Sequence, residues 1–152
     1  MFAYRQILFL LFLSGPLMSQ IPASGYDKAL ADSLGSDEYG MKVYVLAILK
    51  TGTAVAESKA IRDSLFRGHM KNLNQLAENK KLIVAGPLFE NENKYRGIFI
   101  LNVQTIEEAK KLIQTDPAVA AKLFDVDLYR WYGSAALPVY LDVHKRIEKK
   151  AP

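Results

Sequence analysis

The run from Met41 to Lys50 constrains the fold most, because it is β-branched, aromatic and almost wholly apolar. A strand with one face in water alternates polar and apolar residues, whereas a strand covered on both faces does not. The run therefore predicts a central strand, with helices on one face of its sheet and an equally apolar layer on the other.

The segments that follow this strand define a topology. They predict a helix at about 57–79, a short strand at 82–85 ended by Gly86-Pro87, a strand at 95–103, a helix capped by Thr105, a helical segment from Asp116 to about Lys122, and a strand at 124–132. This order is the ferredoxin-like β-α-β-β-α-β arrangement, an α+β fold with an antiparallel sheet and both helices on one face. The other sheet face is apolar and uncovered, which predicts a homodimer that closes sheet on sheet around a cavity.

The N-terminus is typical of a cleaved secretory signal. Arg5 precedes the apolar run Ile7 to Leu13, and small residues follow at Ser19, Ala23 and Ser24. The run is too short to cross a bilayer, so we expect no membrane anchor after cleavage and a periplasmic or secreted protein. We expect a signal peptide over 1–19 (cleavage between 19 and 24), a flexible leader over 20–40, the folded domain over 41–132 and a C-terminal extension over 133–152.

Composition excludes several classes of function. The chain has no cysteine, so disulfides, thiolate nucleophiles and iron–sulfur clusters are excluded. The formal net charge is only +4 and the basic residues are spread along the chain, which argues against a nucleic-acid partner. The two histidines, His69 and His144, lack metal-ligand spacing, so no metal site is predicted.

Two polar residues stand out against this background. In the first long helix, counting by fours from Leu65 reaches His69 before Leu73, so the imidazole lies on the apolar stripe. A histidine there is either a core residue with satisfied ring nitrogens or a catalytic group. Asp116 precedes a proline, which by itself is explained as a helix N-cap.

Five features in order resemble the YCII-related (YciI-like) domain family over Met41 to about Trp131. They are His69 in the first helix, Gly86-Pro87-Leu88 at a strand end, Arg96-Gly97-Ile98 on the next strand, Glu107-Glu108-Ala109 in the following helix, and Asp116-Pro117. The resemblance implies a dimeric α/β barrel of ferredoxin-like subunits. It also implies a site in which His69 and Asp116 match the family's histidine and aspartate.

Such a pair supports acid–base chemistry without a cofactor. A carboxylate bound to one imidazole nitrogen fixes the tautomer and leaves the other nitrogen to exchange a proton with a substrate. The expected activity is that of a lyase or isomerase acting on a small organic acid. The alternative is a non-catalytic protein that binds a small ligand in the same cavity.

Four further residues are candidates for substrate binding. Arg96 suits a carboxylate, although exposed sheet edges are the commoner location of arginine. Tyr44 and Trp131 either line a pocket or fill the dimer interface. The fourth candidate is Gly86, directly after the predicted strand at 82–85.

Overall fold

The computed structural model describes residues 25–150. The predicted signal peptide and the first residues of the leader lie outside the described residues. The helices are α1 (Lys28–Leu34), α2 (Lys59–Glu78), α3 (Ile106–Ile113), α4 (Pro117–Ala120) and α5 (Tyr140–Ile147), with a short 3₁₀ helix at Leu137–Val139. The strands are β1 (Met41–Thr51), β2 (Leu82–Pro87), β3 (Tyr95–Leu101) and β4 (Phe124–Ser134).

The four strands form one antiparallel sheet in the order β2-β3-β1-β4. β1 is central and pairs with β3 on one side and with β4 along its whole length on the other. With α2 between β1 and β2, and α3 between β3 and β4, this is the ferredoxin-like arrangement, and the predicted fold class is confirmed.

The helices cover one face of this sheet. Val45, Ala47 and Leu49 alternate along β1 and are buried, and they belong to one core cluster with side chains from the neighbouring strands and from α2, α3 and α4. On the other face, Leu46 and Ile48 are only partly buried. Tyr44 is buried near the start of β1 on that face, so within the single chain the other face of β1 is open only around Leu46 and Ile48.

The second strand is longer than predicted. The sequence suggested an end at Ala85, yet β2 continues through Gly86 and pairs Pro87 with Gly97 of β3. Because β2 is an edge strand, the missing N–H of Pro87 removes no bond to a second neighbour. Gly97 has to be small here, because a Cβ on it would lie 2.8 Å from the carbonyl oxygen of Gly86.

Both flanking segments are hydrogen-bonded to the domain. The segment before β1 contains the short helix α1, and the Asp37 carboxylate after it accepts bonds from the Tyr132 hydroxyl and from the backbone N–H groups of Tyr39 and Met41. These bonds, led by the one from Tyr132, hold the pKa of the Asp37 carboxyl below its ordinary value.

The C-terminal extension turns back to the sheet. The Tyr140 hydroxyl donates to the Ile83 carbonyl oxygen at 2.5 Å, which ties the start of α5 to the edge strand β2.

Within residues 25–150, no helix is long and apolar enough to cross a bilayer.

Candidate active site

His69 is placed by α2. The Ser58 side chain caps this helix by accepting from the backbone N–H of Ile61 at 3.2 Å, which is the usual role of serine at an N-cap. The predicted stripe then faces the core, so that His69 is buried with 7% of its surface exposed, and Leu76 is buried two turns further on. The imidazole thus takes the place of an apolar side chain.

Asp116 begins α4 and is the more deeply buried of the two, at 1% exposure. Its Oδ1 accepts from the backbone N–H of Ala118 at 2.9 Å, with Pro117 at the first helical position. The predicted cap is therefore confirmed, and it occupies one carboxylate oxygen only. The second oxygen remains for another donor.

That donor is His69. Its Nδ1 lies 2.5 Å from Asp116 Oδ2, and because a carboxylate can only accept, Nδ1 carries the shared hydrogen. The neutral ring is then the Nδ1–H tautomer, with the lone pair on Nε2. The bond fixes both the tautomer and the orientation of the ring, which is the role that carboxylates have beside catalytic histidines.

A close approach of the two helices makes this bond possible. Gly68 of α2 packs against the ring of Pro117, and a Cβ at Gly68 would lie 2.9 Å from the proline Cγ. Glycine inside a helix costs about 1 kcal/mol relative to alanine. Here it allows α2 and α4 to come close enough for the neighbouring side chains, His69 and Asp116, to meet.

Aromatic rings surround the imidazole. The ring centroids of Phe124, Phe66 and Phe99 lie 5.5, 6.2 and 6.2 Å from that of His69. Among residues 25–150 no group hydrogen-bonds to Nε2, and the His69 side chain keeps 9% of its surface exposed. The structure therefore holds a histidine with one nitrogen bound to a carboxylate and the other free in an apolar setting.

The four predicted binding residues lie in different places. Arg96 lines a cleft beside Phe66 and Phe124, next to the pair. Tyr44 is wholly buried, donates its hydroxyl to the Ser134 carbonyl oxygen at 2.9 Å and packs against Trp131 with ring centroids 5.8 Å apart. Gly86 is on the edge strand β2. Of the four, only Arg96 shares a cleft with side chains that pack against the His69 ring, namely Phe66 and Phe124. Substrate binding by all four stays a prediction.

Sequence reasoning missed two polar residues near the pair. Asn72 is buried one turn after His69 and donates to the Thr115 hydroxyl at 2.7 Å, beside Asp116. Arg62 lines the same cleft as Arg96. Helical spacing places residues 62, 66, 69 and 72 on one face of α2, but this spacing alone does not distinguish Arg62 and Asn72 from ordinary polar residues of a helix.

Metal ligands are not grouped anywhere in the described part of the chain. Within residues 25–150, no three side chains of histidine, aspartate or glutamate cluster closely enough to hold a metal ion.

Replacement of Gly68 by alanine tests whether the helix approach sets up the pair. Overpacking against Pro117 should cost about 1–3 kcal/mol and exceed the helix-propensity gain of about 1 kcal/mol, so we expect a net loss of unfolding free energy in urea. The ¹⁵N and ¹H signals of the His69 ring should lose the signature of a strongly hydrogen-bonded Nδ1–H.

Gly86→Ala is the matched control for this prediction, because a Cβ there meets no atom within 4 Å. A folded Gly68→Ala protein with an unchanged His69 ring spectrum would show that the pair does not depend on this contact.

Comparison with known proteins bears on the domain as a whole. No curated protein matches the chain. Among solved structures, it is similar to 5-chloro-2-hydroxyhydroquinone dehydrochlorinase (TftG) from Burkholderia phenoliruptrix AC1100, solved in complex with 2,5-dihydroxybenzoquinone. The identity is 20% and the TM-score 0.43, over 57% of this chain and 92% of that chain.

The family model described as YCII-related domain matches residues 41–132, which confirms the resemblance noted in the sequence. The chain therefore belongs to the YCII-related domain family.

Proposed function

We propose that this protein is a cofactor-free lyase or isomerase that moves a proton on a small organic acid. His69 is the general acid and base, and Asp116 orients it. The observation that carries the proposal is the 2.5 Å bond between His69 Nδ1 and Asp116 Oδ2, which leaves Nε2 without a partner among the described residues.

The environment of the pair supports proton transfer. The aromatic rings around His69 lower the local polarity, so the attraction between an imidazolium and the Asp116 carboxylate is stronger there than in water. When Nε2 takes a proton from a substrate, the positive charge that forms on the ring lies next to this carboxylate. Groups placed in this way contribute about 10²–10⁴-fold to the rate of a proton-transfer step.

Hydrogen–deuterium exchange tests this step without knowledge of the complete reaction. The protein is incubated in D₂O with a panel of small keto acids and unsaturated lactones, and loss of C–H signals next to the carbonyl group is followed by NMR. We expect exchange in at least one compound, reduced about 10²–10⁴-fold by His69→Gln. Asp116→Asn should also slow it, because the amide keeps an acceptor for the cap but no negative charge.

His144→Gln is the matched control, since this second histidine is exposed on α5 and makes no contact with the pair. Exchange that His69→Gln leaves unchanged contradicts the proposal. If no compound shows deuterium exchange, and an apolar ligand binds equally well to the wild-type protein and to His69→Gln, the protein is a non-catalytic ligand-binding member of this fold.

We further propose that two copies associate through the sheet face that no helix covers. Leu46 and Ile48 of β1 lie beside Ile98 and Ile100 of β3 on this face, where Ile48 pairs directly with Ile98. All four are aliphatic and partly exposed in the single chain, and burial of such a surface favours association by about 25 cal/mol per Å². The same surface on both copies gives a two-fold dimer.

Light scattering should give the mass of a dimer for the wild-type protein. Ile48→Lys should give a monomer, since the two-fold axis places two unpaired charges in one apolar interface. Ile61→Lys, on the exposed side of α2, is the control and should remain dimeric. A monomeric wild-type protein would contradict the proposed interface.

We also propose that the protein is exported to the periplasm or beyond it. The support is the order of a basic residue, an apolar run and small residues within the first 24 positions. N-terminal sequencing of the protein recovered from the periplasm of a Gram-negative host should find a mature chain that begins between Gln20 and Gly25. Recovery of uncleaved protein from the cytoplasm alone would contradict export.

A further inference from the structure

The cleft next to the His69–Asp116 pair holds two arginines. It has a volume of about 310 Å³, within the lower range of pockets for small molecules. Arg62 comes from α2 and Arg96 from β3, and the lining between them is apolar, with Phe66, Phe124, Leu123 and Val55 as its larger side chains.

Arg96 lies at an irregularity in the pairing of β3. Gly97 and Phe99 are both buried and alternate along β3 on the face toward the helices, so an unbroken strand would point Arg96 to the opposite face. The register shifts at this point, because Leu49 pairs with Gly97 whereas the next residue, Lys50, pairs with Tyr95. The extra residue is Arg96, and the bulge brings it into the cleft, a known use of bulges beside functional sites.

Arg62 reaches the same cleft from the helix side. It lies four residues before Phe66 and seven before His69, so the three side chains share one face of α2. Arg62 on the helix and Arg96 at the strand bulge thus reach the same cleft from two separate elements of the fold.

Charge balance in the cleft indicates what it binds. No acidic side chain lines it. The ion pairs within residues 25–150 are Lys28–Asp32, Lys50–Asp127, Lys59–Asp63 and His69–Asp116, so neither Arg62 nor Arg96 has a carboxylate partner there. Two guanidinium groups that line one cleft without acidic side chains give it a positive potential, which favours an anion. Their planar donor forks match a carboxylate, and the small cleft with its apolar lining suits that group.

The apolar wall indicates the rest of the ligand. Phe66 and Phe124 meet edge to face with ring centroids 6.0 Å apart, and both also contact the His69 ring. A flat apolar body with its charged end at the arginines would lie against rings that themselves pack against the imidazole. Chains of aliphatic polyols or sugars would leave their hydroxyl groups without partners on this wall.

We propose that Arg62 and Arg96 together form a carboxylate subsite, and that its ligand is a small acid with a flat, apolar, unsaturated body of about the size of benzoate. The delivery of this ligand to His69 rests on the function proposed above, whereas the subsite itself does not. Arg96 alone is visible from the sequence as a carboxylate binder. The second cation and the aromatic wall define the class of acid.

Benzoate is the probe, with benzamide as its neutral counterpart, and binding to the full-length protein is measured by calorimetry. We expect benzoate to bind more tightly than benzamide by at least about tenfold, because only the carboxylate forms charge-assisted bonds to both arginines. Arg62→Gln and Arg96→Gln should each weaken benzoate binding by about tenfold or more and leave benzamide binding unchanged.

Arg67→Gln is the matched control, since Arg67 is exposed on the same helix and does not line the cleft. Arg62→Lys and Arg96→Lys, which keep the charge but lose the fork, should give intermediate affinities. Equal affinity for benzoate and benzamide, or benzoate affinity unchanged in both glutamine variants, overturns the subsite.

His69→Gln separates the subsite from the proposed catalysis. Benzoate binding that survives this substitution and still depends on the two arginines supports the subsite, even if deuterium exchange proves independent of His69 and the proposed activity fails. Conversely, exchange that depends on His69 in a protein whose arginine variants bind benzoate normally overturns the subsite and leaves the proposed activity standing.

Discussion

The contact between Gly68 and the ring of Pro117 allows a hydrogen bond between side chains that lie 47 residues apart in the chain. A methyl group on Gly68 would sit within 2.9 Å of the proline and push α2 away from α4. The hydrogen bond that this approach allows fixes the tautomer of His69 and orients its ring among three phenylalanines, with Nε2 left free.

Burial makes the pair sensitive to the loss of either member. A carboxylate at 1% exposure carries a desolvation cost of several kcal/mol, which is offset only when its oxygens are hydrogen-bonded. Asp116 accepts one bond from Ala118 and one from His69. Removal of the imidazole therefore leaves the buried Asp116 carboxylate with only the hydrogen bond of the helix cap. Replacement of Asp116 by asparagine removes the charge but keeps an oxygen for the cap, so it separates the two effects.

Much of this fold could be predicted from the sequence, because hydrophobic periodicity specifies it. The apolar run of β1, the 3.6-residue pattern of α2 and the turn residues between strands gave the element order and the sheet. Proline at position 87 misled the prediction of the β2 end, because a sequence does not show which strand is at an edge.

The site was less predictable, for physical reasons. His69 and Asp116 stood out as polar residues in apolar or capping positions, but their distance depends on the packing of Gly68, which no local pattern reports. Arg62 was overlooked because an exposed cation at a helical position is ordinary, and its relation to Arg96 appears only in the cleft that both line. Asn72 was missed because its value as a buried donor to Thr115 appears only when α2 lies next to the loop before α4.

The double use of the Asp116 carboxylate has an evolutionary consequence. One oxygen serves the start of α4 and the other serves the imidazole, so a mutation that removes the acid damages the scaffold as well as the chemistry. Selection for a stable domain alone would retain aspartate at this position in lineages that no longer turn over a substrate. Relaxed selection on activity should then become visible first at position 69, where an amide side chain can still donate a hydrogen bond to the Asp116 carboxylate.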